Sequence, residues 1–349
     1  VTARFAIDGR EIGPGHPPYV IAELSGNHNG DIKRALALID AAKMAGADAV
    51  KLQTYTADTL TIDHGGSQFL IEGGLWHGRR LYELYQEAHT PWYWHQPLFD
   101  HARRIGITIF SSAFDESAVR FLEGLDVPAY KIASFEAVDL PLLRVIAKTG
   151  KPVIISTGIT DLAEIAEAVT ALREAGCQQL ALLHCVSAYP SPAEDMNIRT
   201  IPHLAETFDV VSGLSDHTMG TAVSVSAIAQ GASIVEKHMT LRRADGGPDS
   251  AFSLEPEEMV RLVEDCRLAY AALGHVSYER EPSERGNVVF RRSLYVVSDV
   301  AAGEPLTEGS VRSIRPGYGL APKHMPAVLG RRAKCAIARG TPLNWNLIE

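Results

Sequence analysis

Apolar runs rich in valine, isoleucine and leucine recur along the first part of the chain. They are Tyr19–Leu24, Ala49–Thr54, Ile107–Ser112, Ala129–Ser134, Pro152–Thr157, Leu180–Val186, Val210–Ser215 and Ser233–His238. Most are continuous rather than alternating, which is the pattern of strands covered on both faces. Helix-period stretches lie between them. Ile32–Ala45 places Ala35, Leu38, Ile39 and Ala42 on one stripe, and Leu162–Ala175 and Ala222–Gln230 read the same way. Eight such beats predict α/β architecture in the form of a closed parallel (β/α)8 TIM barrel. An open doubly wound sheet is the alternative, weakened by the lack of a G-x-G-x-x-G turn after the first strand.

Two stretches depart from the beat. The gap between the second and third strands is too long for one βα unit. It carries Gly65-Gly66, Gly73-Gly74 and the aromatics Trp76, Tyr82, Tyr85, Trp92, Tyr93 and Trp94. In a barrel this insertion falls on the catalytic face and either shapes a pocket there or is an excursion anchored by its own aromatics. After Leu273 the text changes to short strands, Ser293–Val297 and Ala333–Ile337, among Gly/Pro turns such as Arg315-Pro316-Gly317-Tyr318-Gly319. The expected organisation is a barrel over residues 1–278, a linker over 279–290 and a small domain over 291–349.

Composition narrows the class. Of 349 residues, 46% are hydrophobic and 21% charged, enough for a sizeable core. No apolar run approaches the roughly 18 residues of a membrane span, and Val1–Gly15 shows no leader pattern. Four scattered cysteines without a C-x-x-C pair point to unpaired thiols in a reducing, cytoplasmic setting. A net charge of −9 argues against a nucleic-acid binder. Residues 285–349 carry +6 and the rest −15, so the small domain either docks on an acidic surface or shows chance clustering of arginine.

The chemistry-bearing residues sit at the strand ends. Each strand is followed by residues able to hold an anion, a metal or a hydroxyl: Glu23 with Asn27-His28-Asn29, Lys51 and Gln53, Ser111-Ser112, Lys131 and Ser134, Ser156, Ser187 and Tyr189, Ser215-Asp216-His217, and Glu236-Lys237-His238. Strand C-termini converge on one face of a barrel. Packing does not explain such a ring, because buried polar groups cost free energy unless satisfied. Lys51 and Lys131 with Ser112, Ser134, Ser156 and Ser215 suit a phosphate and carboxylate cradle. His217 and His238, on consecutive strand ends, read as a divalent metal pair, with structural core histidines as the alternative. Glu23 and Glu236 offer carboxylates for proton handling. Alternation argues against a local Glu236–Lys237 pair. A lysine-dependent class I aldolase using Lys131 as Schiff base is a rival reading. A non-catalytic carbohydrate-binding protein is another.

Several of these motifs stand together in order: Ile21-Ala22-Glu23 through Asn27-His28-Asn29-Gly30-Asp31, Val50-Lys51-Leu52-Gln53, Tyr130-Lys131-Ile132-Ala133-Ser134, Leu214-Ser215-Asp216-His217-Thr218, Glu236-Lys237-His238 and Gly247-Pro248-Asp249. The chain thereby resembles the sialic acid synthase family, and residues 291–349 resemble its antifreeze-like (SAF) domain. The resemblance implies condensation of phosphoenolpyruvate with an open-chain acetamido sugar. It places the donor among Lys51, Ser112, Lys131, Ser134, Ser156, Ser187 and Ser215. Catalytic roles fall to Glu23, Lys51, Lys131 and Glu236, and Gln53, Tyr189, Glu236 and Asp249 line the sugar site. His217 and His238 would hold a divalent ion, manganese first, with magnesium or cobalt as alternatives. A domain-swapped homodimer is implied, in which Arg315 reaches the neighbouring site. Ser187-Ala188-Tyr189-Pro190 departs from bacterial sialic acid synthases, which tend to carry Asn before the Tyr-Pro, whereas Gly74-Leu75-Trp76 to Leu81-Tyr82-Glu83-Leu84-Tyr85, Pro91-Trp92-Tyr93-Trp94-His95, Gly246-Gly247-Pro248-Asp249 and Ala251-Phe252-Ser253-Leu254-Glu255-Pro256 look like the pseudaminic acid synthase branch. They favour a 2,4-diacetamido-trideoxy hexose over N-acetylmannosamine. Synthesis of N-acetylneuraminate or legionaminic acid is the alternative.

Overall fold

A computed structural model describes residues 3–349. The chain forms two compact units that meet in sequence at Gly274/His275. In the first unit, eight parallel strands close into a barrel. They are β1 (Tyr19–Glu23), β2 (Ala49–Thr54), β3 (Thr108–Ala113), β4 (Tyr130–Ile132), β5 (Val153–Ser156), β6 (Leu180–Cys185), β7 (Val211–Asp216) and β8 (Ile234–His238). The eight expected strands are all present. The fourth is shorter than its apolar run, because Ser134 already begins a 3-10 turn, Ser134–Glu136.

A helix follows each strand: α1 (Ile32–Met44), α2 (Trp92–Ile105), α3 (Glu116–Glu123), α4 (Leu140–Ala147), α5 (Leu162–Glu174), α6 (Thr200–Phe208), α7 (Ala222–Ala229) and α8 (Pro256–Leu273). Aspartate sets several helix starts. Asp31, Asp115, Asp139 and Asp161 each accept backbone N–H bonds from the first turn. Such caps contribute about 1 kcal/mol each.

Strand alternation sorts the core into two. Val20, Ala22, Val50, Leu52, Ile109, Ile155, Leu182, Leu214 and Val235 face outward and pack against the helices. Tyr19, Ile21, Ala49, Phe110, Ile154, Ala181, Leu183, Val211 and Ile234 fill the barrel's lower interior. A hairpin, Phe5–Ile7 paired with Arg10–Ile12, closes the bottom, because Phe5, Ile7 and Ile12 join that inner cluster. The apolar pattern did not announce this hairpin, since three-residue strands are too short for a period to register.

The long gap after β2 folds into short helices, Ala57–Leu60 and Leu81–Ala88, with a 3-10 turn at Ser67–Phe69. In the second unit, β9 (Ser293–Val296) pairs antiparallel with β10 (Val311–Ile314) over a core that includes Leu294, Val296, Leu306, Val311 and Leu343. Residues 282–290 are a 3-10 run within this unit. Ala333–Ile337 is not a strand. Its backbone bonds in turn to Glu304, Leu347 and Val300, so no single ladder forms. The four cysteines are free. Among the described residues no helix is long and apolar enough to cross a membrane.

Candidate active site

Alternation also decides which polar residues meet. Two positions above the apolar inner layer, charges from four strands converge inside the barrel. Lys51 on β2 pairs with Glu23 on β1 and stands 3.5 Å from Glu236 on β8. Lys131 on β4 stands 3.5 Å from the same Glu236 oxygen. Lys51 also donates to Ser112 (3.0 Å) and Lys131 to Ser156 (2.7 Å). Gln53 donates to Glu23 at 3.0 Å, and Ser215 to Glu236 at 3.4 Å. All but Gln53 are buried. Glu23, Lys51, Gln53, Ser112, Lys131, Ser156, Ser215 and Glu236, from β1 to β5, β7 and β8, thus form one connected group.

Burial and charge pull against each other here. Burial raises the Glu23 carboxyl, and Glu236's charge adds to this against the opposing pull of Lys51. Burial also acts to raise Glu236, but Lys131, Lys51 and His217 outweigh it and hold this carboxyl below its usual range. For Lys51, burial is outweighed by Glu23 and Glu236, and its pKa goes up. Lys131, buried between Glu236 and Lys51, is lowered by desolvation. An ionised Glu236 therefore anchors two lysines that face the barrel mouth.

Next to them lies a cluster of hydroxyls that the sequence only half disclosed. The Gly158 N–H donates to Ser134 Oγ at 3.0 Å. A Cβ at Gly158 would stand 2.2 Å from Ser187 Oγ and 2.8 Å from Ser134 Oγ. Only glycine lets both hydroxyls crowd this backbone. The Ser156-Thr157-Gly158 run after β5 was the available signal, and Gly158 was not read from it.

His217 and His238 stand side by side, ring centroids 5.4 Å apart. His217 Nδ1 is 3.0 Å from the Val186 carbonyl, which accepts its proton. His238 Nδ1 is 3.2 Å from Ser25 Oγ. Burial holds His238 well below the usual imidazole range, so it is neutral. For His217 burial also pulls down, but Cys185, the Val186 carbonyl and Glu236 outweigh it. Phe252 packs against both rings, at 4.9 Å from His238 and 6.2 Å from His217. Both Nδ1 atoms are occupied, so each ring keeps Nε2 as its remaining ligand atom. Glu236 Oε2 is buried without a hydrogen-bond partner. Two adjacent imidazoles, each with its Nε2 left over, are donors of the kind that fit a divalent cation. Among the described residues no cluster of three His, Cys, Asp or Glu closes around one point, so substrate or water would complete such a site.

Above the charged layer a cavity of about 370 Å³ opens, lined by Gln53, Tyr55, Trp76, Tyr85, Glu136, Tyr189, His238 and Asp249 with the apolar Ile71, Leu81 and Phe114. The insertion after β2 forms one wall. Trp76 donates to the Pro248 carbonyl at 2.8 Å and its ring stands 5.3 Å from Tyr189. Tyr189 in turn lies 4.4 Å from His217. Asp249 receives the Gly26 N–H at 3.5 Å. Its carboxyl is raised by burial and lowered in part by a hydrogen bond from Ser25. Glu136 was not foreseen. Burial pushes its carboxyl up to about 7, and its Oε2 has no partner. A cavity of about 460 Å³ at the opposite end of the barrel is lined by Arg4, Arg173, Gln179 and Asp209, and none of the strand-end residues reaches it.

Three polar residues of the strand-end motifs point the other way. Lys237 pairs with Asp216 (2.8 Å), and Asp216 accepts from Thr218 N (2.8 Å) behind the barrel wall. Ser111 Oγ bonds Thr54 (2.6 Å), which bonds His95 of α2 (2.8 Å). These residues brace the strands against the helices. Arg315 follows β10 in the second unit, where it is exposed.

Comparison with known proteins agrees with this architecture. The NeuB family matches residues 38–278 and the SAF domain matches residues 291–349. Pseudaminic acid synthase of Campylobacter jejuni (subsp. jejuni, strain 81-176) is 45% identical over 325 residues, 93% of this chain and 95% of its own length. Pseudaminic acid synthase of Helicobacter pylori is 43% identical over 338 residues, 95% of this chain and 98% of its own length. Among solved structures, the N-acetylneuraminic acid synthetase of Leptospira borgpetersenii, in complex with citrate, has TM-score 0.73 at 31% identity, covering 82% of this chain and 95% of that one. The NeuB match spans more than half of the chain and these relatives match nearly all of it, and the chain belongs to the NeuB family.

Proposed function

We propose that this protein is a pseudaminic acid synthase. It joins phosphoenolpyruvate to an open-chain 2,4-diacetamido-trideoxy hexose and releases phosphate. The observation that carries the reading is the pair of layers at the barrel mouth: a buried lysine–serine cradle below an aromatic-walled cavity. The identity to two pseudaminic acid synthases supports the choice of acceptor.

The donor's phosphate and carboxylate lie against Lys51, Lys131 and the hydroxyls of Ser112, Ser134, Ser156, Ser187 and Ser215. The lysines balance charge as it moves from the enol to the leaving phosphate. Carbon three of the donor forms a bond to the sugar aldehyde, whose oxygen takes up a proton. Water adds at carbon two and loses its proton to Glu23, whose raised carboxyl suits that exchange. The tetrahedral centre collapses with cleavage of the carbon–oxygen bond to phosphate. His217 and His238 would hold a divalent ion, manganese in the first instance, which supplies Lewis acidity toward the aldehyde oxygen. Gln53, Tyr189, Glu236 and Asp249 orient the sugar, and alignment of two substrates is a large part of such catalysis. The active form is a domain-swapped homodimer in which Arg315 serves the neighbouring site.

The test incubates the protein with phosphoenolpyruvate, Mn2+ and a panel of amino sugars, then measures phosphate and product mass. Turnover with the diacetamido-trideoxy sugar above N-acetylmannosamine is expected. Donor labelled with oxygen-18 at the bridging position should deliver the label to phosphate. Label retained in the sugar acid, or a Lys131 adduct trapped by borohydride, would overturn the mechanism.

A further inference from the structure

We infer that the turn after β1 is a clasp, with Asn29 as a positioning residue that holds the loop between β8 and α8 and so sets Asp249 at the cavity wall. The inference rests on the acceptor role proposed for that cavity. The motif Asn27-His28-Asn29-Gly30-Asp31 follows the strand that carries Glu23, yet the cavity is lined by other residues. Asp31 caps α1, and His28 Nδ1 accepts the Gly30 N–H at 3.1 Å, so these two act locally. The asparagines reach across to the loop. Asn27 Nδ2 donates to the Met239 carbonyl at 2.9 Å and to Ser253 Oγ at 2.8 Å. Ser253 Oγ in turn donates to the Asp249 carbonyl at 2.6 Å. Asn29 Nδ2 donates to the Gly246 carbonyl at 3.0 Å.

Both sides of this contact are shaped for it. Asn29 has φ 49, a left-handed backbone that asparagine adopts more readily than most residues. Gly247 has φ 119, and a Cβ there would strike Asn29 Oδ1, so the loop carries no side chain where the amide lies. Arg34 of α1 adds a further point of closure. Its Nε donates to the Asn27 carbonyl at 2.8 Å, and its Nη1 pairs with Asp245 at 2.6 Å. From the other side Trp76 donates to the Pro248 carbonyl at 2.8 Å. Asp249 thus sits between anchors at Gly246, Pro248 and Ser253, with its Oδ2 3.5 Å from the Gly26 N. Among the described residues, the bonds of Lys51 and Lys131 go to Glu23, Glu236, Ser112 and Ser156 and none to this loop. Loosening the clasp therefore acts on the cavity wall and leaves the lysine layer intact.

Asn29→Gly and Asn29→Asp test this. Glycine removes the amide without straining the backbone, and aspartate keeps the shape but has no N–H to give. The residue is exposed, so both variants should fold with nearly wild-type melting temperatures. Hydrogen exchange read by mass spectrometry should show residues 242–253 opening faster in both, by about 3- to 10-fold, the range that loss of one such hydrogen bond gives. Phosphate release with the diacetamido-trideoxy sugar should show the sugar KM raised by a similar factor and the phosphoenolpyruvate KM unchanged. Exchange at wild-type rates in both variants overturns the clasp. Faster exchange with an unchanged sugar KM, or with equal rises in both KM values, overturns the positioning role. A wild type that turns over none of the amino sugars overturns the proposed function instead, and the exchange rates still decide whether Asn29 holds the loop.

Discussion

Replacing Gly158 with alanine should damage donor binding specifically. Gly158 has no left-handed φ, so the backbone accepts alanine, and space alone decides the outcome. The added carbon would lie 2.2 Å from Ser187 Oγ, 2.8 Å from Ser134 Oγ and 3.2 Å from Ser134 Cβ. No real contact persists at the first two distances, so the hydroxyls must swing away. Ser187 is only half-buried and moves first, whereas Ser134 is buried and bonded to the Gly158 N–H. A hydrogen bond to a charged group is worth about 1.5–3 kcal/mol. Losing one such bond weakens phosphoenolpyruvate about 10- to 100-fold at about 1.4 kcal/mol per decade. Initial rates of phosphate release against donor concentration, at saturating sugar, should show that rise in KM with the sugar KM unchanged. Calorimetric binding of phosphoenolpyruvate should fall in parallel. The double variant Gly158→Ala/Ser187→Ala should lose less than the sum of the singles, because its alanine has one hydroxyl fewer to displace. Wild-type donor KM and affinity in a folded Gly158→Ala protein would refute the cradle.

The other layers make their own predictions. Trp76→Ala should open the cavity wall and raise the sugar KM by about 10-fold or more while leaving the donor KM alone; equal effects on both would contradict the two-layer assignment. Glu236→Gln leaves Lys51 and Lys131 facing only Glu23, and breaking a buried pair this way costs about 3–5 kcal/mol. Phosphoenolpyruvate should therefore raise the melting temperature of that variant more than that of the wild type, and identical shifts would argue against donor charge lying on these lysines. Burial lowers His28 and His95 to about 4. The unfolded chain then takes up protons below pH 6.5 that the fold refuses, and stability falls from pH 6.5 toward 4 by about 1.4 kcal/mol per unit for each. Glu136, raised to about 7 by burial, has the opposite sign: its contribution is complete below pH 4.5 and is lost as pH rises through 7. Denaturant titrations across pH 4–8 should show His95→Gln flattening the acid limb, and an unchanged limb would remove His95 as its source.

The barrel was legible because its strands are continuous apolar runs, and a one-residue error at an end leaves such a run intact. Val210 and Ile107 lie just outside the strands that were expected to contain them, with no change in topology. The strand-end residues were legible for the same reason: Lys51, Lys131 and Glu236 interrupt otherwise apolar text. Their direction was legible too, in part. If Glu236 points inward, then Lys237 points outward, and it does so toward Asp216. What escaped depends on distance rather than residue type. Gly158 matters for what a Cβ would strike, and that leaves no periodic trace. Glu136 escaped because its strand ends early and a 3-10 turn lifts it into the cavity wall.

The vertical order of the site follows from strand geometry. Lys51 and Gln53 are two residues apart on β2, as are Glu236 and His238 on β8. Two residues of strand rise about 6.6 Å. The lysines and Glu236 therefore form a lower floor, and Gln53, His238 and Tyr189 an upper one that borders the cavity. Lys51 and Lys131 are 3% and 2% exposed, so an anion reaches them only through the mouth. A sugar seated in the cavity lies across that route. On the proposed function, the donor would then enter first, with its phosphate and carboxylate in the floor and its nucleophilic carbon upward. The sugar that follows would bring its aldehyde to the level of His238 and close the floor to bulk water. Glu236 joins the two floors, because it bonds both lysines below while its charge acts on His217 above. A single carboxylate thus links the two lysines of the floor electrostatically to His217 above them.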